Sequence, residues 1–324
     1  MSEIALRDTS KLSDSEKMNG SCSNGHILKS STEIGHTKEM NSANGAPFKA
    51  EEREDSGQVL ASSEVEYIEC ADLKDLEDVE NCVKTLLSEL SSRDWVSVCD
   101  ALNNLRRLCM FHKEAIVTIL SDVISLVVKS LKNPRSAVCK TAIMTSADIF
   151  KVYNNDIIDS LDPLLVQLLL KASQDKKFVC EAAESALIAL TSSVSPILLL
   201  PKLQPYVKNR NPRIRAKASM CISRSVPRLG AEEINTLGID KLIQIGASQL
   251  SDQLPESRDA ARALLLELQS LYERSHPPEP NFVMSEEPAT ASWEYFCQSK
   301  LAPLSAQAVL RVTNIAREGL ACGS

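Results

Sequence analysis

Residues 131–142 read LKNPRSAVCKTA. Leu131 closes an apolar helical stretch, and Asn133-Pro134-Arg135 makes a polar corner. Val138 and Ala142, four residues apart, then open the apolar face of a second helix. Proline suits a helix start and not a helix interior, so the corner separates two helices. The same corner recurs as SRDWVSVCDAL at 92–102, DKKFVCEAA at 175–183, NPRIRAKA at 211–218 and ESRDAA at 256–261. Aligning Val98, Val138, Val179, Ile214 and Ser257 gives spacings of 40, 41, 35 and 43 residues. Self-similarity at this period marks stacked units of two helices each, in which every unit buries its apolar face against its neighbours.

The period is that of HEAT or armadillo repeats. Apolar spacing predicts helices from about Asp78 to Leu90, from Asp94 through Leu108, and over Lys113–Leu131, Arg135–Val152, Ile157–Ala172 and Lys177–Thr191. Next comes a short helix from Ser195-Pro196 to about Val207, bent at Pro201 and Pro205, whose brevity accounts for the spacing of 35. Helices over Pro212–Val226, Ile239–Leu250 and Pro255–Tyr272 complete five pairs. The expected fold is an all-α solenoid over residues 78–275. His276-Pro277-Pro278-Glu279-Pro280 ends the periodic region. Beyond it, Trp293, Tyr295, Phe296 and an amphipathic stretch from Ala302 to Leu320 form either an irregular sixth pair capping the array or a detached tail. Residues 1–77 are Ser-rich and acidic with little apolar periodicity, which predicts a mostly disordered arm. A short acidic helix is expected to begin within Val65–Val79.

Composition fits a helical solenoid: 44% of residues are apolar and only 4% aromatic. The net charge of −7 is unevenly spread. Residues 1–80 carry 8 basic and 18 acidic side chains, residues 81–276 carry 25 and 20, and residues 277–324 carry 3 and 5. A mildly basic array therefore follows an acidic arm, and an acidic partner suits the array. The 10 cysteines form no CxxC pair, and several occupy core-like helix positions, which points to free thiols in a reducing compartment. The start, MSEIALRDTS, has neither the basic flank nor the apolar run of a signal peptide. No run approaches the roughly 20 apolar residues of a membrane span.

Motifs of enzymes are missing: there is no Walker loop, GxGxxG, GxSxG or HExxH. Asp148 and Glu184 are acids at positions able to face solvent, and His112 is expected at the surface. None of the 4 histidines adjoins a cysteine cluster, so neither a zinc site nor any other cofactor is expected.

The corners carry more than a generic array needs. Asp94-Trp95 lies in the first, Lys132 and Arg135 in the second, Lys176 and Lys177 in the third, Arg210 and Arg213 in the fourth, and Arg258 in the fifth. With SLKNPRSAVCKTAIMTSADIF at 130–150 and DKKFVCEAAESAL at 175–187, this resembles a TOG domain, the tubulin-binding HEAT-repeat module, and most of all its CLASP and crescerin subgroup. The resemblance implies binding of αβ-tubulin or microtubules through loops aligned on one edge. It implies that Trp95 presents its ring to β-tubulin and that Lys132, Arg135, Lys176, Lys177, Arg210, Arg213 and Arg258 reach acidic tubulin surface. It also implies a cytoplasmic, cytoskeletal location, with other cytoskeletal proteins as further candidate partners. The residue after each aligned core position is often basic in such arrays, yet here it is Cys99, Cys139 and Cys180 in the first three corners. Five corners spaced at about 10 Å would make a ridge roughly 40 Å long. The rival reading is a HEAT or armadillo scaffold that binds other proteins without tubulin. Mild charge and few aromatic platforms argue against nucleic acid.

Overall fold

Corner chemistry marks where several second helices of the computed structural model begin. Asp94 caps the second helix by accepting hydrogen bonds from the Val96 and Ser97 N–H groups. Asn211 accepts from the Arg213 N–H, and Pro212 and Pro255 occupy first-turn positions. The structure describes residues 67–276 and 292–321, within a unit that spans Ser62–Ser324. The described residues hold thirteen α-helices and no strand.

Six antiparallel pairs follow one another. The first is α1 (Val79–Leu90) with α2 (Trp95–Phe111), the second α3 (Leu120–Leu131) with α4 (Ser136–Tyr153), and the third α5 (Leu161–Lys171) with α6 (Lys177–Ser193). The fourth joins α7 (Pro196–Leu203) to α8 (Pro212–Ser225). In the fifth, α10 (Ile239–Gln249), preceded by the short α9 (Ala231–Leu237), packs on α11 (Pro255–Ser275), and the last is α12 (Trp293–Lys300) with α13 (Pro303–Ala321). The second members α2, α4, α6, α8 and α11 stack in sequence, and α13 packs on α10 and α11. Trp293 is buried there, its indole N–H donating to Thr313 Oγ1 at 3.3 Å, with Tyr272 and Phe296 alongside. One apolar core runs from Cys82 to Val309.

Several first-limb helices are shorter than apolar spacing suggests. Lys113–Ile119 and Asn154–Ser160 are 3₁₀ turns that precede α3 and α5, and Gln204–Lys208 is a 3₁₀ turn that follows α7. Their apolar residues still point inward, so periodicity alone does not separate the two helix types. Pro201 sits inside α7, whereas Pro205 lies in the following 3₁₀ turn instead of bending a longer helix. The sequence reading also missed α9. The Gly230 N–H donates to Glu233 Oε2 at 2.9 Å to start it, and Gly238, at φ +82°, turns the chain into α10.

The unit begins before residue 78. Residues 67–77 form an extended strap with a single 3₁₀ turn, Cys70–Asp72, where an acidic helix was expected. Leu73 is buried, and Arg106 donates through Nη1 to the Ile68 carbonyl at 2.6 Å. Farther along, His112 Nε2 meets Asp75 Oδ1 at 2.6 Å. Residues 1–66 lie outside the described residues. Asp148, expected to face solvent, is instead 2% exposed and paired with the fully buried Arg106 at 2.7 Å. A carboxylate buried in apolar surroundings requires such a partner.

Candidate functional site: the corner edge

Each corner is a short turn between the two helices of a pair, so all five fall on one side of the stack. Contacts between successive corners place them in a row. The Arg135 guanidinium lies over the Trp95 ring, 5.1 Å from its centroid. Lys176 donates from Nζ to Ser136 Oγ. Arg213 donates to the Ser173 carbonyl at 3.2 Å and pairs with Asp175 at 2.5 Å. Arg215 pairs with Asp252 at 2.6 Å. Thus each corner from the second to the fourth reaches back to the one before it, and the fifth is tied to the fourth.

The expected docking residues separate into two groups. Lys132, Arg135, Lys176, Lys177 and Arg210 are exposed, and Trp95 is half-buried against the core with its ring at the edge. Lys132 and Arg210 have no ion-pair partner among the described residues, and Lys177 meets only Glu181, one turn along its own helix, at 3.7 Å. Arg213 is exposed as well but is engaged with Asp175 at the surface, and Arg258 is half-buried and engaged within its own corner. Arg258 donates to the Asp252 and Gln253 carbonyls at 2.7 and 3.0 Å. Through Nη1 it closes its own corner, where it is half-buried.

This explains the cysteines. Arg215 occupies the position equivalent to Arg258 and donates to the Asn209 and Arg210 carbonyls at 2.9 and 3.2 Å. In the second and third corners the same position is a thiol. Cys139 donates to the Leu131 carbonyl at 3.5 Å and Cys180 to the Ala172 carbonyl at 3.0 Å. Burial pushes both thiols up, as it pushes Cys99 to about 11, so all three stay protonated and poorly nucleophilic. The arginines there satisfy carbonyls of the corner itself, and the cysteines a carbonyl at the end of the preceding helix.

The opposite edge is braced too. Tyr153 Oη donates to the Lys113 carbonyl at 2.7 Å, the Ser195 N–H to Asn155 Oδ1 at 2.8 Å, and Lys202 Nζ to Asp162 Oδ2 at 2.8 Å. Each of these links residues 40 apart, the repeat period expressed as bonds. A cleft of about 500 Å³ behind the third and fourth corners is lined by paired charges, among them Lys217 with Glu184 at 2.6 Å, and by the Cys180 thiol, which donates to Glu184 Oε1 at 3.3 Å and is held protonated by burial and by that carboxylate. Among the described residues no three metal-ligating side chains cluster, and no helix is long and apolar enough to cross a membrane.

Residues 79–277, more than half of the chain, match the family described as CLASP N terminal. The chain belongs to that family. Over 131 residues, this CLASP N-terminal chain is 30% identical to human TOG array regulator of axonemal microtubules protein 1, covering 40% of itself and 8% of that protein. Crescerin-like protein che-12 of Caenorhabditis elegans is 22% identical over 187 residues, covering 56% of the CLASP N-terminal chain and 15% of che-12. The chain therefore spans less than a sixth of the length of these relatives. Among solved structures, the MAST/Orbit N-terminal domain superposes with a TM-score of 0.53 at 15% identity, over 75% of this chain and 98% of that one. The TOG domain of C. elegans Zyg9 does so with a TM-score of 0.52 at 15% identity, over 76% and 92%. The fold is that of a TOG domain.

In this CLASP N-terminal array, sequence reasoning overlooked Arg215, Asp252 and Asp175, which tie the corners together. The signal was present in NPRIRAKA, where Arg215 follows the aligned Ile214. Phe178, exposed beside Lys176 with Nζ 5.3 Å from its centroid, is a second corner aromatic that was passed over because it adjoins a core valine.

Proposed function

We propose that this protein is a microtubule-associated protein that binds αβ-tubulin through the corner edge of its TOG-like array. Regulation of microtubule dynamics or organisation from a cytoskeletal location follows from that binding. The reading is carried by one observation: a half-exposed Trp95 heads a row of exposed Lys132, Arg135, Lys176, Lys177 and Arg210 along a single edge. An aromatic anchor supplies most of the energy of such a contact, and rim cations steer the encounter. The relatives named as regulators of axonemal microtubules support the same reading.

The alternative is a HEAT scaffold that keeps the TOG form without tubulin. It draws support from the engagement of Arg213 with Asp175 and of Arg258 with its own corner, which thins the charge available to a partner. Binding of the full chain to purified αβ-tubulin, beside Trp95→Ala, separates the two. Micromolar binding weakened at least about tenfold by the substitution supports the edge. No binding by the parent at tens of micromolar leaves the scaffold.

A further inference from the structure

Arg135 is the exposed corner cation whose described contact is an aromatic face. Its guanidinium covers the Trp95 ring at 5.1 Å, and no carboxylate among the described residues lies within ion-pair distance of it. Its backbone is pinned: the Arg135 N–H donates to Asn133 Oδ1 at 2.9 Å, and its carbonyl accepts from the Cys139 N–H at 3.1 Å. Pro134 precedes it and restricts the turn further. At the other end of the contact, Trp95 springs from the first residue of a helix capped by Asp94. Both partners thus rise from fixed backbone, one repeat apart, and only side-chain torsions stay free. A planar guanidinium stacked on an indole face limits those torsions as an ammonium does not.

We propose that Arg135 is a positioning residue, a shelf that holds the Trp95 ring in its docking orientation, so that it acts on partner binding through Trp95 and not through its own charge. The inference rests on the tubulin-edge reading and adds to it the reason the ring is ready before a partner arrives. Preset orientation saves the entropy of ordering the ring on binding. Lys132, three residues away and equally exposed, has no such contact and serves as the internal comparison.

The test has two arms, both with the full chain. In the free protein, acrylamide quenching of tryptophan fluorescence is measured for the parent, Arg135→Ala and Lys132→Ala. Trp95→Phe and Trp293→Phe versions separate the two indoles, and thermal melts confirm folding. Arg135→Ala should raise the quenching constant of Trp95 about twofold, while Lys132→Ala leaves it unchanged. In the second arm, Arg135→Ala should weaken αβ-tubulin binding about three- to fivefold, in line with a partly desolvated cation–π contact. In a Trp95→Ala background the same change should have no effect. Unchanged quenching overturns the shelf. An equal loss of affinity with and without Trp95 also overturns it, since that marks Arg135 as a direct contact. Absence of tubulin binding by the parent removes the tubulin reading, and quenching alone then decides whether Arg135 sets the ring.

Discussion

Arg106 and Asp148 show how a residue's surroundings decide its role. Arg106 is 1% exposed, and besides Asp148 it donates to the Ile68 carbonyl and to Asn103 Oδ1. Arg106→Met leaves the buried Asp148 carboxylate with only Lys151, at 3.5 Å, and should cost up to about 3–5 kcal/mol in urea unfolding. Arg106→Met with Asp148→Leu should recover most of that loss, because a buried pair is often replaceable by apolar groups of similar volume. Nothing in the spacing around Asp148 reveals the pair, since its partner lies 42 residues away and one helix over. Trp95, by contrast, was legible as a corner residue, and its stack on Arg135 was not. Asp252 carries a pH signature. Burial works to raise its pKa, and the Arg215 guanidinium with the Leu254 N–H outweighs this and holds it below the usual carboxylate value. Its contribution is then present above an unfolded value near 4 and lost as pH falls through the folded one. Asp252→Asn should lower stability at neutral pH and flatten the acid limb of a stability profile measured from pH 7 to pH 3.

Among the elements, the second helices of the pairs follow the sequence closely, and the first limbs do not. Most second helices begin at a corner with a side-chain cap or a first-turn proline, as α2, α8, α11 and α13 do, so chemistry fixes their starts. The first limbs α3 and α5 arrive through 3₁₀ turns, and α7 leaves through one, whose apolar residues mimic an α-helical face. The strap at 67–77 was illegible for another reason: its short stretch lacks periodicity, and what holds it is Arg106 from another helix. A chain beginning at residue 78 loses the Ile68 carbonyl and buried Leu73, and its stability should drop by about 1–3 kcal/mol, read as a lower thermal midpoint. At Gly246 in α10, a Cβ would stand 2.8 Å from Leu265 Cδ2 in α11. Gly246→Ala should therefore destabilise by about 1–3 kcal/mol, seen in the same melts.

At the scale of the whole array, the repeat period, the helix pairing and the row of corners were all readable, because a solenoid writes its architecture into its own self-similarity. The distribution of charge along the edge was readable only in part. Counting cations overstates what a partner meets, since Arg213 is paired with Asp175 at the surface and Arg258 donates to carbonyls of its own corner. On the proposed tubulin edge, affinity should accordingly fall less than about tenfold between 50 and 150 mM salt, as expected for a few rim charges around an aromatic anchor. A steeper dependence in a titration would mean that the engaged arginines swing outward on binding. The braces on both edges have a mechanical meaning. Bonds between successive repeats on either rim act like the two flanges of a beam, and flexing the array sideways must break those on the stretched side. Such an edge does not mould itself to what it touches. As the proposed docking edge, it would work as a gauge, favouring surfaces whose curvature matches its own.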